Sequence, residues 1–171
     1  MTPQQIAFLD KAAMAADNAR HIFPQMAACE AALESGFGLS QLAREDNNLF
    51  GMKQHRHAEY GTHALPTKEF ENGEWITVVA LWVHYPGWAL CFFDRMKTLF
   101  TLAPFLPHYH AAVTAKDAET YIREVSASWA TDPKRADKVL AIYREYQLVP
   151  KGTKGSSAPS AASAPAAPKA P

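Results

Sequence analysis

The sequence contains little cysteine, no excess of charge of either sign and no long apolar run. Its 171 residues include two cysteines, Cys29 and Cys91, and 17 basic residues balance 17 acidic ones. Two isolated thiols without C-x-x-C spacing argue against a metal or redox site, so we expect buried thiols that form no disulfide. Zero net charge argues against a protein that binds nucleic acid through broad attraction to phosphates.

No segment approaches the ~18 consecutive apolar residues that a membrane helix requires. The most apolar stretch, residues 76–93, is interrupted by His84, Pro86 and Gly87. The N-terminus has no basic cluster followed by an apolar core, so we expect no secretory signal and no stable membrane insertion. A hydrophobic content of 48% with four Trp, six Tyr and nine Phe predicts a folded core.

The last 21 residues differ in composition from the rest of the chain. They contain seven Ala, four Pro, four Ser, three Lys, two Gly and one Thr, with no acid and no aromatic residue. We therefore predict one domain over residues 1–150 and a flexible tail over residues 151–171. The lysines of the tail either end a solvated linker or attract an anionic surface such as a cell wall or a membrane.

Helical signals dominate both ends of the domain. Thr2, Pro3 and Gln5 predict a capped helix start, and a second helix is expected from Pro24 through Leu33, ending near residues 35–36. A helical turn is expected over residues 40–44. Further helices are expected from about residue 79, with a break at residues 86–87, and then over residues 88–102, 118–130 and 133–146. Asp132 is the predicted N-cap of the last one.

The helical period fails between His55 and Val79, where β-branched and aromatic residues surround Glu71-Asn72-Gly73. An Asn-Gly pair favours a tight hairpin turn, so we predict a small β element. The expected fold class is α+β, mainly α.

Glu34 is the first candidate for catalysis. It stands at the C-terminal end of an apolar helix, directly before the glycine-rich segment Ser35-Gly36-Phe37-Gly38. The negative end of a helix dipole and apolar neighbours both favour the protonated form of a carboxyl, as a general acid requires. Alternatively, it is a surface glutamate at a helix end. Glu30, one turn earlier, either repels Glu34 or faces solvent.

Glu69 is the second candidate, three residues before the predicted hairpin turn. Strand alternation places Glu69 and Glu71 on one side and Phe70 on the other. A solvated hairpin carboxylate is the alternative. The pair formed by a helical glutamate and a hairpin glutamate is the two-carboxylate arrangement that glycoside hydrolysis uses.

Several separated motifs together resemble the glucosaminidase domain of glycoside hydrolase family 73. In chain order they are Ala32-Leu33-Glu34-Ser35-Gly36-Phe37-Gly38, Asn47-Asn48-Leu49-Phe50-Gly51-Met52-Lys53, Thr67-Lys68-Glu69-Phe70, Tyr85-Pro86-Gly87-Trp88 and Trp129-Ala130-Thr131-Asp132-Pro133. The resemblance covers about residues 1–150. It implies a lysozyme-like fold with a helical lobe and a small β-hairpin lobe around a substrate cleft. It also implies hydrolysis of the β-1,4 bond after N-acetylglucosamine in peptidoglycan by a monomer without a cofactor.

The resemblance also assigns roles to individual residues. Glu34 matches the essential acid of the family and Glu69 its second glutamate. Trp129 stands where the family usually has tyrosine, which leaves an aromatic platform but removes a hydroxyl. Phe37 replaces a more usual tryptophan and Glu30 a common glutamine. The remaining candidates to bind sugar are Asn47, Asn48 and Tyr85, together with Phe50, for which a core position is the alternative. The His55-x-His57 pair lacks a third ligand, and we expect no metal.

Two rival interpretations remain open. A lytic transglycosylase or a muramidase also carries a Glu-Ser pair at a helix end, although residues 47–53 favour the glucosaminidase. A catalytically silent peptidoglycan-binding module is the other rival, and the presence of both glutamates argues against it. Because family members include compact phage endolysins, we expect an endolysin made in the bacterial cytoplasm and released to the wall through a holin.

Overall fold

The computed structural model describes residues 1–54, 59–71 and 73–150, with the backbone alone at residues 69–71. Within these ranges the elements in chain order are α1 (Pro3–Asn18), α2 (Pro24–Ser35), α3 (Gln41–Glu45), β1 (Gly61–Glu71), β2 (Glu74–His84), α4 (Trp88–Leu102), α5 (Pro107–Val113), α6 (Ala118–Trp129) and α7 (Arg135–Gln147). The predicted mainly helical α+β class is confirmed. The predictions for the tail and for His55 and His57 lie outside the described residues.

The first helices begin and end where their capping signals indicate. The Thr2 hydroxyl accepts from the Gln5 backbone N–H at 3.2 Å, and the Gln5 side chain accepts from the Thr2 N–H at 2.9 Å. These two bonds satisfy helix donors that otherwise lack partners. Helix α2 ends at Gly36, whose φ of +59° is the left-handed conformation typical of a helix end. Ser40 caps α3 through the Ala43 N–H.

The two strands form an antiparallel hairpin that is longer than the sequence pattern predicts. Glu71 pairs with Glu74 across the turn, and the register continues to Gly61 opposite His84. Gly73 has a φ of +88°, in agreement with the expected tight turn. The expected return to helix near Val79 is wrong, because the chain up to His84 pairs with β1. A short apolar run does not distinguish a strand from a buried helix until its partner is known.

The last third of the chain differs from expectation in two details. Helix α5 was not predicted, and α7 begins two residues later than expected, with Lys134 at its N-cap. Asp132 instead accepts from the Lys134 N–H at 2.9 Å and so caps the turn before α7. The aspartate therefore forms the expected kind of bond, but two residues before the N-cap of the helix.

Helix α2 is the centre of the helical lobe, and its middle part, residues 26–32, is buried on every side. Its buried residues are Met26, Ala27, Ala28, Cys29, Glu30, Ala31, Ala32 and Ser35. Four of the eight are alanines, whose small side chains let α1, α6 and α7 pack closely against α2. A helix buried on every side is apolar all round, which explains why α2 lacks a single hydrophobic stripe. Glu30 is the exception, and it lies in the candidate site.

The base of the hairpin is fastened to the segment after α3. The Asp46 carboxylate accepts from His84 at 2.9 Å and from His63 at 3.2 Å, one histidine from each strand. The Asp46 carbonyl also accepts from the Tyr85 N–H at 2.8 Å. Because Asp46 is itself buried, these bonds fix both strands where they leave the helical lobe.

Both cysteines are buried thiols, and they form no disulfide, as predicted. Cys29 lies on α2 and Cys91 on α4. Burial raises the pKa of the Cys91 thiol to about 12. Among the described residues, no helix combines the length and apolar character needed to cross a bilayer.

The burial of His21 predicts that the protein loses stability in mild acid. Burial, supported by the charge of Arg95, lowers the pKa of His21 from 6.5 to about 4. Because the folded-state pKa lies below the unfolded value, stability is full above pH 6.5 and falls as the pH drops to 4, by roughly 3 kcal/mol. Urea unfolding of His21→Gln should lack this part of the pH dependence. The control His110→Gln, at an exposed histidine, should retain this pH dependence. If the unfolding free energy of both variants depended on pH with the same slope, the effect would not come from His21.

Candidate active site

Glu34 lies in the last turn of α2, at the edge of the buried core. Its side chain is 27% exposed, whereas Ala31 and Ala32 just before it are buried. The helix end is tied down by Ser35, whose hydroxyl donates to the Ala31 carbonyl at 2.6 Å and accepts from the Gly38 N–H at 2.8 Å. Glu34 therefore combines access to solvent with a rigid backbone, as a catalytic carboxyl requires.

The backbone after Glu34 turns through three successive left-handed residues. The φ values are +59° at Gly36, +56° at Phe37 and +79° at Gly38. A Cβ atom at Gly38 would lie 2.8 Å from the Phe8 ring, whereas one at Gly36 would meet nothing within 4 Å. Phe8 packs against Phe37 and Trp88, so its ring has little room to move. Glycine is thus required at position 38 for both conformation and space.

Replacing Gly38 with alanine is expected to cost about 2–4 kcal/mol of unfolding free energy, because left-handed strain adds to overpacking against Phe8. Gly36→Ala is the matched control. It carries the strain without the clash and should cost only about 1–2 kcal/mol. Urea unfolding of the two variants measures the difference. Equal losses would show that contact with Phe8 is irrelevant.

The Glu34 carboxylate is held by a buried arginine at the start of α7. Arg135 donates from Nε to Glu34 Oε1 at 2.8 Å, and its Nη2 lies 2.7 Å from the same oxygen. Arg135 is only 2% exposed. Its Nη1 donates to the Ser126 hydroxyl of α6 at 2.9 Å, so α7 and α6 together fix the guanidinium.

Glu30 accepts hydrogen bonds from two arginines beneath Glu34. Its Oε1 accepts from Arg135 Nη2 at 2.6 Å and from Arg95 Nη2 of α4 at 2.7 Å. Glu30 and Arg95 are completely buried. Burial alone raises the pKa of Glu30, but the two arginine charges and their hydrogen bonds outweigh burial and hold the pKa below its ordinary value. Glu30 is therefore a buried carboxylate.

Of the two alternatives for Glu30, a side chain that faces solvent is wrong, and its repulsion of Glu34 is offset by the guanidinium of Arg135, which contacts both carboxylates. The expected apolar surroundings of Glu34 are also replaced by a guanidinium. The physical reason is that a carboxylate in the middle of a buried helix must be paired, and its partners come from distant parts of the chain.

Trp129 lies at the end of α6, next to these charges. The Arg95 guanidinium carbon is 3.4 Å from the centroid of the Trp129 ring, a stacked cation–π contact. Trp129 is partly buried and borders an open depression of about 800 Å³. The depression is lined by residues 123, 126–133 and 136, and Glu34 does not line it. Trp129 remains a partly accessible aromatic candidate for a sugar face, and its ring stacks on an arginine that bonds Glu30.

Of the four other candidates for sugar contact, Asn48, Tyr85 and Phe50 are buried. The Asn48 side chain is buried and bonds the Met52 N–H and the Met52 and Val83 carbonyls. Tyr85 is buried and donates its hydroxyl to Asp94 at 2.6 Å, and burial and this bond raise its pKa. These side chains join the hairpin to the helical lobe.

Phe50 and Asn47 also form contacts inside the protein. Phe50 is 4% exposed and packs edge-on against Phe92, in line with the core alternative. Asn47 is partly buried, has a φ of +50° and donates its amide to the Tyr85 carbonyl at 2.9 Å. The structure therefore leaves Trp129 and Asn47 as the partly accessible members of the predicted sugar-binding set.

Glu69 lies in β1, with its backbone paired to Ile76. It is seven residues along the strand from Thr62, so roughly 23 Å separate it from the base of the hairpin. Its side chain, like those of Phe70 and Glu71, lies outside the described residues. The roles of Glu34 and Glu69 both remain predictions.

Arg95 and Arg135 are the site residues that sequence reasoning missed. One signal pointed toward them, because Glu30 stands in an alanine-rich helix and a carboxylate buried there demands cationic partners. Nothing in the spacing of the 17 basic residues indicates which of them reach α2. Among the described residues, no group of three or more His, Cys, Asp or Glu side chains is arranged to hold a metal ion.

Comparison with known proteins agrees with this architecture. Residues 10–148 match a family model described as Glucosaminidase, mannosyl-glycoprotein endo-beta-N-acetylglucosaminidase. The chain is 32% identical to the exo-glucosaminidase LytG of Bacillus subtilis over 137 residues, covering 75% of this chain and 45% of LytG. It is 30% identical to a probable N-acetylmuramidase of Lactococcus lactis subsp. cremoris over 154 residues, covering 83% of this chain and 34% of the relative.

A solved structure shows the same fold. The glycoside hydrolase domain of FlgJ from Salmonella typhimurium, truncated at its C-terminus, superposes with a TM-score of 0.69 at 28% identity. The match covers 85% of this chain and 99% of that domain. The chain has the lysozyme-like fold that the resemblance implies, and it shares that fold with this glycoside hydrolase domain. It belongs to the glucosaminidase family, and it spans between a third and just under half of the two curated relatives.

Proposed function

We propose that the chain hydrolyses peptidoglycan by cutting the β-1,4 bond between N-acetylglucosamine and N-acetylmuramic acid, with Glu34 as the general acid. The observation that carries the proposal is the Glu34 carboxyl, partly exposed at the end of α2 and held by buried Arg135. The names of the relatives, a glucosaminidase and a probable muramidase, support this polymer as the substrate class.

In the first step Glu34 transfers its proton to the glycosidic oxygen while the bond to the anomeric carbon breaks. The leaving sugar departs as a neutral alcohol, and Glu34 becomes a carboxylate beside Arg135. A positively charged donor held in place before the reaction stabilises charge that develops in the transition state. The first step therefore uses groups that lie together in the described structure.

The second step offers two routes. In one, Glu69 acts as the base for the incoming water or stabilises the oxocarbenium-like charge. In the other, the acetamido group of the substrate attacks the anomeric carbon. A carboxylate separation of about 5 Å is typical of a covalent retaining site, and about 6.5–9.5 Å of inversion. Activity that survives in Glu69→Gln would favour the acetamido route.

The decisive experiment identifies the new sugar ends. Purified peptidoglycan is digested with the wild type or with Glu34→Gln, the products are reduced with borohydride, and the ends are identified by mass spectrometry. We expect reduced N-acetylglucosamine ends from the wild type and none from Glu34→Gln. Glu119→Gln is the control, since Glu119 is half exposed and forms surface ion pairs on α6.

The same digest separates the rival functions. Reduced muramic ends would identify a muramidase, the activity that the name of the Lactococcus relative favours. Anhydromuramic ends would identify a lytic transglycosylase. Binding to peptidoglycan without new ends would leave only the silent module. Release of single sugars from chain termini, rather than internal cuts, would contradict the endo-acting part of the proposal.

For the biological setting we propose an endolysin that reaches the wall from the bacterial cytoplasm through a holin. The proposal rests on the family resemblance, because compact endolysins occur among its members. The test is production of the full chain in bacterial cytoplasm with and without a holin, followed by culture turbidity. Lysis only with the holin is expected. Lysis without the holin, or no lysis in either culture, would contradict the proposed setting.

A further inference from the structure

A buried arginine cluster, defined by Glu30, Arg95 and Arg135, lies directly beneath Glu34. The three nitrogens of the Arg135 guanidinium reach three partners, and Nη2 also lies 2.7 Å from Glu34 Oε1. Nε faces Glu34 at 2.8 Å, Nη1 faces Ser126 at 2.9 Å, and Nη2 faces Glu30 at 2.6 Å. Three helices, α2, α6 and α7, therefore define the orientation of one planar group.

We propose that Arg135 is the positioning residue for Glu34, and that Glu30, Ser126 and Arg95 form the support that holds Arg135 in place. This inference rests on the proposed role of Glu34 as general acid. Arg135 acts through Glu34 and needs no contact with the sugar. It fixes the orientation of the carboxyl before substrate binds and neutralises the carboxylate that remains after proton transfer.

The geometry favours a guanidinium specifically. A planar fork with fixed N–H directions bonds two carboxylates and a hydroxyl at once, whereas an ammonium is a point charge on a flexible stem. Arg135 is the first residue of α7 and Glu34 is in the last turn of α2, so the fork also fixes the distance between the two helices. A displacement of about 1 Å at a reacting group is enough to cost about 10²-fold in rate.

The charge of the cluster acts on Glu34 in a defined direction. Two guanidinium charges face one carboxylate, so the cluster without Glu34 carries one net positive charge. Burial by itself lowers the pKa of Arg135, and the two glutamates more than reverse that effect and raise it. Removing the charge of Arg135 should let Glu34 keep its proton to higher pH, and removing the charge of Glu30 should have the opposite effect.

The other titratable groups around the cluster do not obscure this signal. His21 lies before α2, Tyr109 on α5 and Tyr121 on α6, and all three interact electrostatically with the cluster. Burial holds the pKa of His21 at about 4 and raises the pKa of both tyrosines above the ordinary value of 10. The pKa of Glu30 is held below 4.5. None of these groups changes charge between pH 5 and 9.

The test measures kcat and KM on soluble peptidoglycan fragments from pH 5 to 9. Arg135→Gln is expected to lose about 10²-fold in kcat with KM within about twofold. The alkaline limb of its kcat–pH profile, along which the general acid loses its proton, should move to higher pH. Glu30→Gln should move that limb to lower pH. Arg135→Lys keeps the charge, so its limb should stay near the wild-type position while kcat falls about tenfold.

Arg144→Lys is the matched control, because Arg144 is 66% exposed on the same helix. Circular dichroism shows whether each variant folds, and if Arg135→Gln does not fold, Arg135→Lys and Glu30→Gln carry the test. The positioning role would be overturned if the alkaline limb of the pH profile stayed at the wild-type position in Arg135→Gln and Glu30→Gln as well as in Arg135→Lys. A change confined to KM, with kcat unaltered, would also overturn it. A wild type that produces no N-acetylglucosamine ends would instead overturn the proposed function.

Discussion

Glu34→Gln is expected to lower kcat on peptidoglycan by about 10³-fold or more, with binding of the polymer unchanged. The amide has nearly the same shape as the carboxyl but has no acidic proton to give to the glycosidic oxygen. General acid catalysis supplies typically about 10²–10⁴-fold. The measurement is the initial rate of new reducing ends, together with sedimentation of the enzyme with intact peptidoglycan.

Glu34→Asp extends the test from chemistry to position. Aspartate keeps the acidic proton but ends one methylene short of the sugar and of Arg135, which bonds the glutamate at 2.8 Å. We expect a loss of about 10²-fold. Glu119→Gln should stay within about twofold of the wild type. A Glu34→Gln variant that retains a tenth of the activity would mean that another group donates the proton.

Glu30→Leu is expected to lower the free energy of unfolding by about 3–5 kcal/mol at pH 7. The substitution leaves the guanidinium groups of Arg95 and Arg135 buried without the carboxylate that both contact at Oε1. Removing one member of a buried ion pair leaves an uncompensated charge, which is among the costliest single changes in a protein. Urea unfolding followed by circular dichroism measures the loss.

The loss should shrink in acid. The folded-state pKa of Glu30 is held below its ordinary value of 4.5. The stability that Glu30 contributes is therefore present above about pH 4.5 and disappears as the pH falls through the folded-state pKa. The wild type and Glu30→Leu should converge in that range.

A triple variant separates stability from catalysis. Replacing Glu30, Arg95 and Arg135 together with methionine removes every buried charge of the cluster and should recover much of the lost stability. If Arg135 positions Glu34, this triple variant should still have a low kcat although its stability has recovered. Full activity in the triple variant would show that the cluster is dispensable for catalysis, and a stability no better than Glu30→Leu would contradict the charge argument.

Local signals predicted much of the fold. The capping box at Thr2 and Gln5 and the glycine at position 36 act within a few residues, so their effect is visible in the sequence. The Asn-Gly pair likewise placed the hairpin turn. The segment from Val79 to His84 was assigned wrongly because its state depends on pairing with β1, up to 23 residues away across the turn.

The sequence predicted one part of the candidate site, the helix end with Glu34, but not the arginine that holds it. Glu34 was selected as a candidate because a carboxyl, a helix end and a glycine-rich turn are contiguous along the chain. Its neighbour in space, Arg135, is 101 residues away in sequence. Asn48 and Tyr85 show the converse limit. Polar side chains near a proposed site suggest sugar contacts, but here their groups bond the hairpin base and Asp94. Spacing alone does not separate these two uses of a polar group.

The two buried thiols make the core of this protein observable by chemical labelling. Cys29 lies on the helix that carries Glu30 and Glu34, and Cys91 lies on the helix that carries Arg95. Alkylating reagents attack the thiolate, and both side chains are inaccessible in the folded state. Their labelling rates therefore report how often α2 and α4 separate. A peptidoglycan fragment that slows the labelling of both thiols would show that substrate binding stabilises the packing of these helices, in a measurement that requires no turnover.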